Sequence, residues 1–280
     1  MRVGVVGAGV VGAGVAQDLA GAEHDVVLLD LTDEILRAAL ARIAENLRMT
    51  RLLGGRSPAR SSEDVLAAVT CSTDLGALEH CEFVIENIRE KWADKAELYP
   101  RLDAASPQGC ILAANTSAIP ITRIASATTR PELVIGIHFM SPVPLVAAVE
   151  LIPGVHTAPQ TLARTRKLLA TLGKEAIEVR DSPGFISNRV LMLTINEAAE
   201  LVHDGVADVA DIDRVFTACF GHGMGPLATA DLIGLDTVVD SIEVLYECYR
   251  DPKFRPSVTL RELVDAGRCG RKTGRGFYSY

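Results

Sequence analysis

The sequence has little cysteine, and none of it is paired. Six cysteines (Cys71, Cys81, Cys110, Cys219, Cys248, Cys269) are scattered over 280 residues, with no Cys-x-x-Cys and no His/Cys cluster at metal-ligand spacing. This argues against a disulfide scaffold and a zinc module. The thiols read as reduced, mostly buried side chains of a cytoplasmic protein, and no metal is expected. No uninterrupted apolar run reaches the roughly 18 residues that a membrane helix needs. The start, MRVGVVGAG, shows no apolar stretch followed by a small-residue cleavage site. Neither a membrane partner nor a secretion signal is expected. Basic residues are short as well: 28 Lys+Arg against 36 Asp+Glu give a formal net charge of -8. A nucleic-acid partner is therefore not expected, because phosphate-backbone binding needs a basic footprint.

What is present is a globular balance, 48% hydrophobic and 23% charged, in a chain long enough for one large domain or two ordinary ones. Five short apolar runs, VGVVG (3–7), VVLLD (26–30), FVIEN (83–87), CILAAN (110–115) and LVIGIHF (133–139), read as strands buried on both faces of a parallel sheet. VAAVELI, around Glu150, reads as a further strand. Helical stretches over 33–52, 91–105 and 159–172 alternate with them, the pattern of an open doubly wound α/β sheet. After residue 183 the period is helical throughout. The Pro-Gly punctuation of VRDSPGFISN marks a boundary, giving domains at 1–182 and 183–280, the second smaller and all-helical. The stretch 185–205 reads as a helix apolar on nearly every face, hence buried either in its own domain or against a second copy in a homodimer.

Gly7-Ala8-Gly9-Val10-Val11-Gly12 stands directly between a strand and a helix. In that setting Gly7 allows the tight turn, Gly9 lets backbone approach a pyrophosphate, and Gly12 permits close helix–strand packing. The helix start offers free N–H groups, Val10 and Val11 among them, and the positive end of its dipole to phosphate. The second strand ends in Asp30, eighteen residues past Gly12, where an acid bonds ribose hydroxyls and repels a 2′-phosphate. The alternative for Asp30 is an acid at a helix start. Together these features predict a Rossmann-type domain holding NAD rather than NADP.

A nicotinamide enzyme needs an acid/base beside the carbon that gives up hydride, and histidine suits it. Of six histidines, His24, His80, His156, His203 and His222 lie in polar, turn-like or helix-end contexts that suggest the surface. His138 closes an apolar strand at the ligand-binding edge of the sheet. Twelve residues on, Glu150 sits inside another apolar strand, where a buried carboxylate needs a partner. If the two strands are neighbours, Glu150 fixes the His138 tautomer; otherwise it is a solvated edge-strand acid. Asn115, Thr116 and Ser117 follow a strand end, as ligand contacts or as helix caps. Asn188 lies at the domain boundary, as a substrate contact or a structural helix-start residue.

The segments GAGVVGAG, VIEN, ANTSAI, GIHFMSPVP, VELI, DSPGFISNR, MGPLATADLIGLD and GRKTGRGFY agree in order and spacing with one family. Over essentially its whole length the chain resembles the 3-hydroxyacyl-CoA dehydrogenases, most closely the short bacterial 3-hydroxybutyryl-CoA type. The resemblance implies NAD-dependent oxidation of a 3-hydroxyacyl thioester by a His138–Glu150 dyad, with Ser117 and Asn188 on the substrate. It also implies cofactor contacts at Glu90, Lys95 and Lys272, which would otherwise read as exposed helical and tail charges. Asn115, Ser117 and Ser141 join the glycine loop and Asp30 in that cofactor set.

Ser141 stands where the family usually has asparagine, and Ala147 where it usually has lysine. Near the end of helix 33–52, where relatives place lysines by the CoA nucleotide, this chain has Leu53 with Arg48, Arg51 and Arg56 nearby. A branch of the family acts on acyl-carrier-protein thioesters during polyketide assembly, and FGHGMGPLATADLIGLDTVVDSIEVLYECYRDPKFRP is somewhat similar to it. Arg48, Arg51, Arg56 and Arg60 are the candidate docking residues for such a carrier, or for a CoA phosphate. A hydroxy-acid dehydrogenase acting on L-gulonate, and a redox-silent relative, are further alternatives.

Overall fold

A computed structural model describes residues 1–52 and 60–280, and side chains over 1–49 and 60–280. The chain divides into two compact units, Met1–Asp181 and Ser182–Tyr280.

The first unit runs β1 (Arg2–Val6), α1 (Val10–Gly21), β2 (Asp25–Leu29), α2 (Asp33–Leu52), α3 (Ser62–Ala67), β3 (Val69–Ser72), β4 (Phe83–Glu86), α4 (Trp92–Ala105) and β5 (Ile111–Ala114). It continues through α5 (Ile121–Ala125), β6 (Val134–Phe139), β7 (Ala148–Pro153), α6 (Pro159–Thr171) and β8 (Glu175–Glu178). The strands form one sheet in the order β3-β2-β1-β4-β5-β6-β7-β8. β3 to β6 run parallel; β7 is antiparallel to β6, and β8 parallel to β7.

The six expected strands all form. Their apolar runs are the sheet's core, with Val5, Ile85, Ile111, Ile137 and Leu151 wholly buried. Each such side chain contributes about 1.5–3 kcal/mol of burial free energy. The parallel sheet brings the carboxyl ends of β1, β2, β4, β5 and β6 to one edge. At β6 the chain turns back, so that the antiparallel register sets His138 directly opposite Glu150.

The second unit is helical: α7 (Ser187–His203), α8 (Val209–Ala218), α9 (Pro226–Ile233), α10 (Leu235–Tyr249) and α11 (Val258–Asp265). The continuous helical period expected through LATADLIGLDTVV is broken at Gly234, whose φ of +103° no helix tolerates. Helix α7 also differs from expectation. It buries Met192, Ile195, Ala198 and Ala199 on one face but leaves Val190 60% exposed, so it is not enclosed on all sides by its own chain. The C-terminal tail is pinned by two buried carboxylates. Asp213 accepts from the N–H groups of Leu227 and Ala228 and from the Tyr278 hydroxyl, and Asp231 accepts from Phe277 and Tyr278 N–H. Burial and the neighbouring Asp213 hold the Tyr278 hydroxyl well above the usual phenol range. Among the described residues, no helix is long and apolar enough to cross a membrane.

Candidate active site

The loop after β1 turns through Gly7, whose φ is +97°. A side chain on Gly12 would overlap the Gly7 carbonyl, so helix and strand meet as closely as a glycine pair allows. Gly9 is different: a Cβ there would meet nothing within 4 Å. It caps α1, with no side-chain cap and no acidic residue in the first turn, so the positive helix end is left uncompensated. Val10 is exposed beside it. Asp30, just past β2, accepts from Ala8 N–H at 2.6 Å and from Leu31 N–H at 2.7 Å. A cleft of about 650 Å³ opens here, lined by Gly7, Gly9, Asp30, Leu31, Asn87 and Arg101 among others. Open space over Gly9, a bare helix N-terminus and a carboxylate at the cleft wall fit the diphosphate and adenosine ribose of a dinucleotide.

The strand ends beyond this cleft carry a ladder of asparagines. Asn115 donates its Nδ2–H to Asn87 Oδ1 at 2.8 Å, and its Oδ1 accepts from Phe139 N–H at 3.1 Å. It thereby ties β4 and β5 to the end of β6. The neighbouring turn is held by Glu90, whose Oε1 accepts from the Thr116 hydroxyl at 2.5 Å and from Ala118 and Ile119 N–H at 2.8 and 3.0 Å. Ser117 N–H donates to the same oxygen. Ser117 is thus fixed from below.

From that turn the Ser117 Oγ lies 3.0 Å from His138 Nε2, and His138 Nδ1 lies 2.8 Å from Glu150 Oε2. His138 and Glu150 are 7% and 5% exposed, so their pairing is little screened by water. A carboxylate can only accept, so Nδ1 carries a proton, and an imidazole holding that proton alone presents its Nε2 lone pair to the Ser117 side. The arrangement can take a proton from a hydroxyl placed at Nε2 and stabilise the imidazolium that results.

Lys95 is wholly buried. Its ammonium donates to both oxygens of Glu86 at 2.7 Å, and Tyr99 OH adds a bond to Glu86. Burial pushes the Glu86 carboxyl upward against that pairing, and pushes the Tyr99 hydroxyl well above its usual range. Glu86 Oε1 also accepts from Ile88 N–H in the cleft wall. Glu86 is an acid inside the apolar FVIE and so calls for a partner, as Glu150 does. Ser141 is exposed in the loop between β6 and β7. Among the histidines expected at the surface, His24 is instead buried, with Nε2 2.7 Å from Thr171 Oγ1. Asp181 accepts from Ile121 and Thr122 N–H and so caps α5, whose Pro120 cap has no side-chain acceptor.

In the helical unit, Asn188 is buried, and its Nδ2 has no hydrogen-bond partner among the described residues. Lys272 is exposed and donates to Asp236 at 2.6 Å. Burial opposes ionisation of Asp236, but the bonds from Lys272 and from backbone outweigh it and hold the carboxyl below its usual range. Of the candidate docking arginines, Arg48 is exposed and pairs with Glu45, whereas Arg60 donates to the Ala20 and His24 carbonyls of its own unit. Leu53, Arg56 and the Arg51 side chain lie outside the described residues.

Two family models match the chain: "3-hydroxyacyl-CoA dehydrogenase, NAD binding domain" over residues 2–182, and "3-hydroxyacyl-CoA dehydrogenase, C-terminal domain" over 184–280. A probable 3-hydroxybutyryl-CoA dehydrogenase of Bacillus subtilis is 44% identical over 279 residues, covering 100% of this chain and 97% of the relative. The crystal structure of M. tuberculosis FadB2 matches with a TM-score of 0.95 at 37% identity, covering 100% and 98% of the two chains. That of (S)-3-hydroxybutyryl-CoA dehydrogenase PaaH1 from Ralstonia eutropha matches with a TM-score of 0.90 at 40% identity, again covering 100% and 98%.

Proposed function

The chain belongs to the 3-hydroxyacyl-CoA dehydrogenase family of NAD-dependent oxidoreductases, and from that premise we propose that it interconverts short 3-hydroxyacyl-CoA and 3-oxoacyl-CoA thioesters, 3-hydroxybutyryl-CoA first among them. The observation that carries this reading is the line Ser117 Oγ, His138 Nε2, His138 Nδ1, Glu150 Oε2, with steps of 3.0 and 2.8 Å. In it, His138 Nε2 takes the proton of the substrate 3-hydroxyl. Glu150 favours the imidazolium, and Ser117 holds the hydroxyl oxygen against the imidazole. NAD, when bound, supplies the hydride acceptor. The glycine loop, Val10, Val11 and Asp30 would hold its diphosphate and adenosine ribose. Asn115, Glu90 and Ser141 would line the nicotinamide side, and Lys95 would act there through Glu86 and the cleft wall.

Asn188 belongs to the proposal as a substrate contact, supported by its buried and unpartnered Nδ2, and Lys272 as a cofactor contact. So does a homodimer, supported by the exposed Val190 and Ile186 at the apolar helix α7, and a cytoplasmic location. CoA is preferred over a carrier protein because the relatives that match the whole chain are named for CoA thioesters. The test is NADH consumption with acetoacetyl-CoA, in parallel with carrier-protein-bound acyl thioesters, glyceryl thioester among them. Rapid turnover of the CoA thioester supports the reading. Turnover confined to the carrier-bound thioesters overturns its carrier assignment.

A further inference from the structure

Lys174 immediately precedes the edge strand β8, yet its side chain is only 4% exposed. Its ammonium reaches three acceptors: the carbonyl of Val143, the carbonyl of Val146 at 2.7 Å, and Asp18 Oδ2 at 2.8 Å. The two carbonyls accept hydrogen bonds from it, and the Asp18 carboxylate faces it as an ion pair. Two of these acceptors lie in the loop 140–147, which joins β6 to β7 and so links His138 to Glu150. The third is on α1, the helix whose N-terminus faces the dinucleotide cleft.

A second observation places the same loop on the same helix. One turn before Asp18, and so on the same face of α1, stands Gly14. A Cβ there would lie 2.9 Å from Val143 Cβ and 3.5 Å from Pro144 Cδ. The helix therefore carries glycine where the loop rests and a carboxylate where the loop is fastened. Val143 is buried at the contact, and Glu175 N–H closes the far end of the loop on the Ala147 carbonyl at 2.7 Å. Gly14 is about 7–8 Å along the axis from the Gly9 cap, so this seat lies little more than a turn from the diphosphate end.

We propose that Lys174 is a positioning residue, which with Gly14 locks the loop joining the two dyad strands onto the cofactor helix and so sets where His138 and Glu150 stand relative to the hydride acceptor. The inference rests on the dehydrogenase reading above. It predicts that disturbing this seat lowers kcat while cofactor affinity holds, because neither Lys174 nor Gly14 lines the dinucleotide cleft. Lys would not be replaced by Arg, whose planar fork cannot reach three acceptors arranged about one nitrogen.

Lys174→Met and Gly14→Ala test it, with kcat, NADH affinity by fluorescence, and the imidazole nitrogen chemical shifts of His138 in the cofactor-free protein at fixed pH. Gly14→Ala keeps the test decisive if Lys174→Met does not fold, since alanine is the better helix former. The expected result is a kcat lower by about tenfold or more, the order that small misplacements of reacting groups cost. The NADH dissociation constant should stay within about threefold, and the His138 shifts should move. Folded variants with wild-type kcat and unmoved shifts overturn the proposal. So does a loss of NADH affinity as large as the loss of kcat, which would make the two residues part of the cofactor site alone. If wild-type protein turns over no acyl thioester, the dehydrogenase reading fails, and the His138 shifts still decide the positioning.

Discussion

Replacing Glu150 by glutamine removes one charge and almost no volume. The amide oxygen of glutamine can still accept the His138 Nδ1–H across the 2.8 Å gap, so the tautomer and the strand register survive. What is lost is the attraction between carboxylate and imidazolium, which matters only when His138 holds the extra proton. Both side chains are buried, so solvent does little to screen the loss. Hydrogen bonds to charged groups are worth about 1.5–3 kcal/mol, and each 1.36 kcal/mol is tenfold in rate. The expected fall in kcat is therefore about 10- to 150-fold, with NADH affinity and thermal stability close to wild type. NADH consumption at saturating acetoacetyl-CoA measures the first, and fluorescence titration and a melting curve the others. A folded Glu150→Gln protein with kcat within about twofold of wild type would refute the dyad.

Four further substitutions test separate features of the molecule. Gly9→Ala should leave the melting temperature of the cofactor-free protein unchanged or raised but abolish NADH binding, because its Cβ enters space no protein atom uses; Gly12→Ala should lose both, because its Cβ meets the Gly7 carbonyl. Calorimetry with and without NADH distinguishes the two. Asp30→Ala should weaken NADH binding at least tenfold, by loss of charge-assisted bonds of about 1.5–3 kcal/mol, and narrow the preference over NADPH; equal NADH affinity would remove Asp30 from the site. Burial, then the N-terminal ammonium and Arg60, hold His24 below its ordinary value. The unfolded chain thus takes up the proton first, and the stability this group contributes is complete above the ordinary histidine range and lost as pH falls through the folded value. Melting curves between about pH 7.5 and 5.5 should show a steeper loss for wild type than for His24→Gln.

The sheet was legible where it is buried. Runs such as VIGIHF and ILAA sit in the middle of the sheet with both faces covered, and burial leaves an apolar signature that survives without alignment. The edge strands were not. β3 (VTCS) and β8 (EAIE) are four residues each, and β8 is mostly exposed, so pairing on one side is nearly all that defines it. The dyad was legible as a conditional statement, since a glutamate in an apolar strand needs a partner; adjacency of β6 and β7 supplied the condition. Glu86 carries the same signal, but nothing in the order of residues picks out Lys95, nine positions on, as its partner until α4 folds back on β4. Lys174 left no signal at all. A lysine after the Leu-Gly of a helix end reads as solvated, and only the return of the 140–147 loop onto α1 encloses it.

The central claim is that His138 moves a proton at the carbon from which hydride leaves, and His138→Ala tests it most directly. Turnover of acetoacetyl-CoA with NADH by the wild-type protein, and none by a His138→Ala protein that still binds NADH, is the expected result. A His138→Ala variant that keeps wild-type turnover, or one that loses NADH binding along with it, would contradict the assignment.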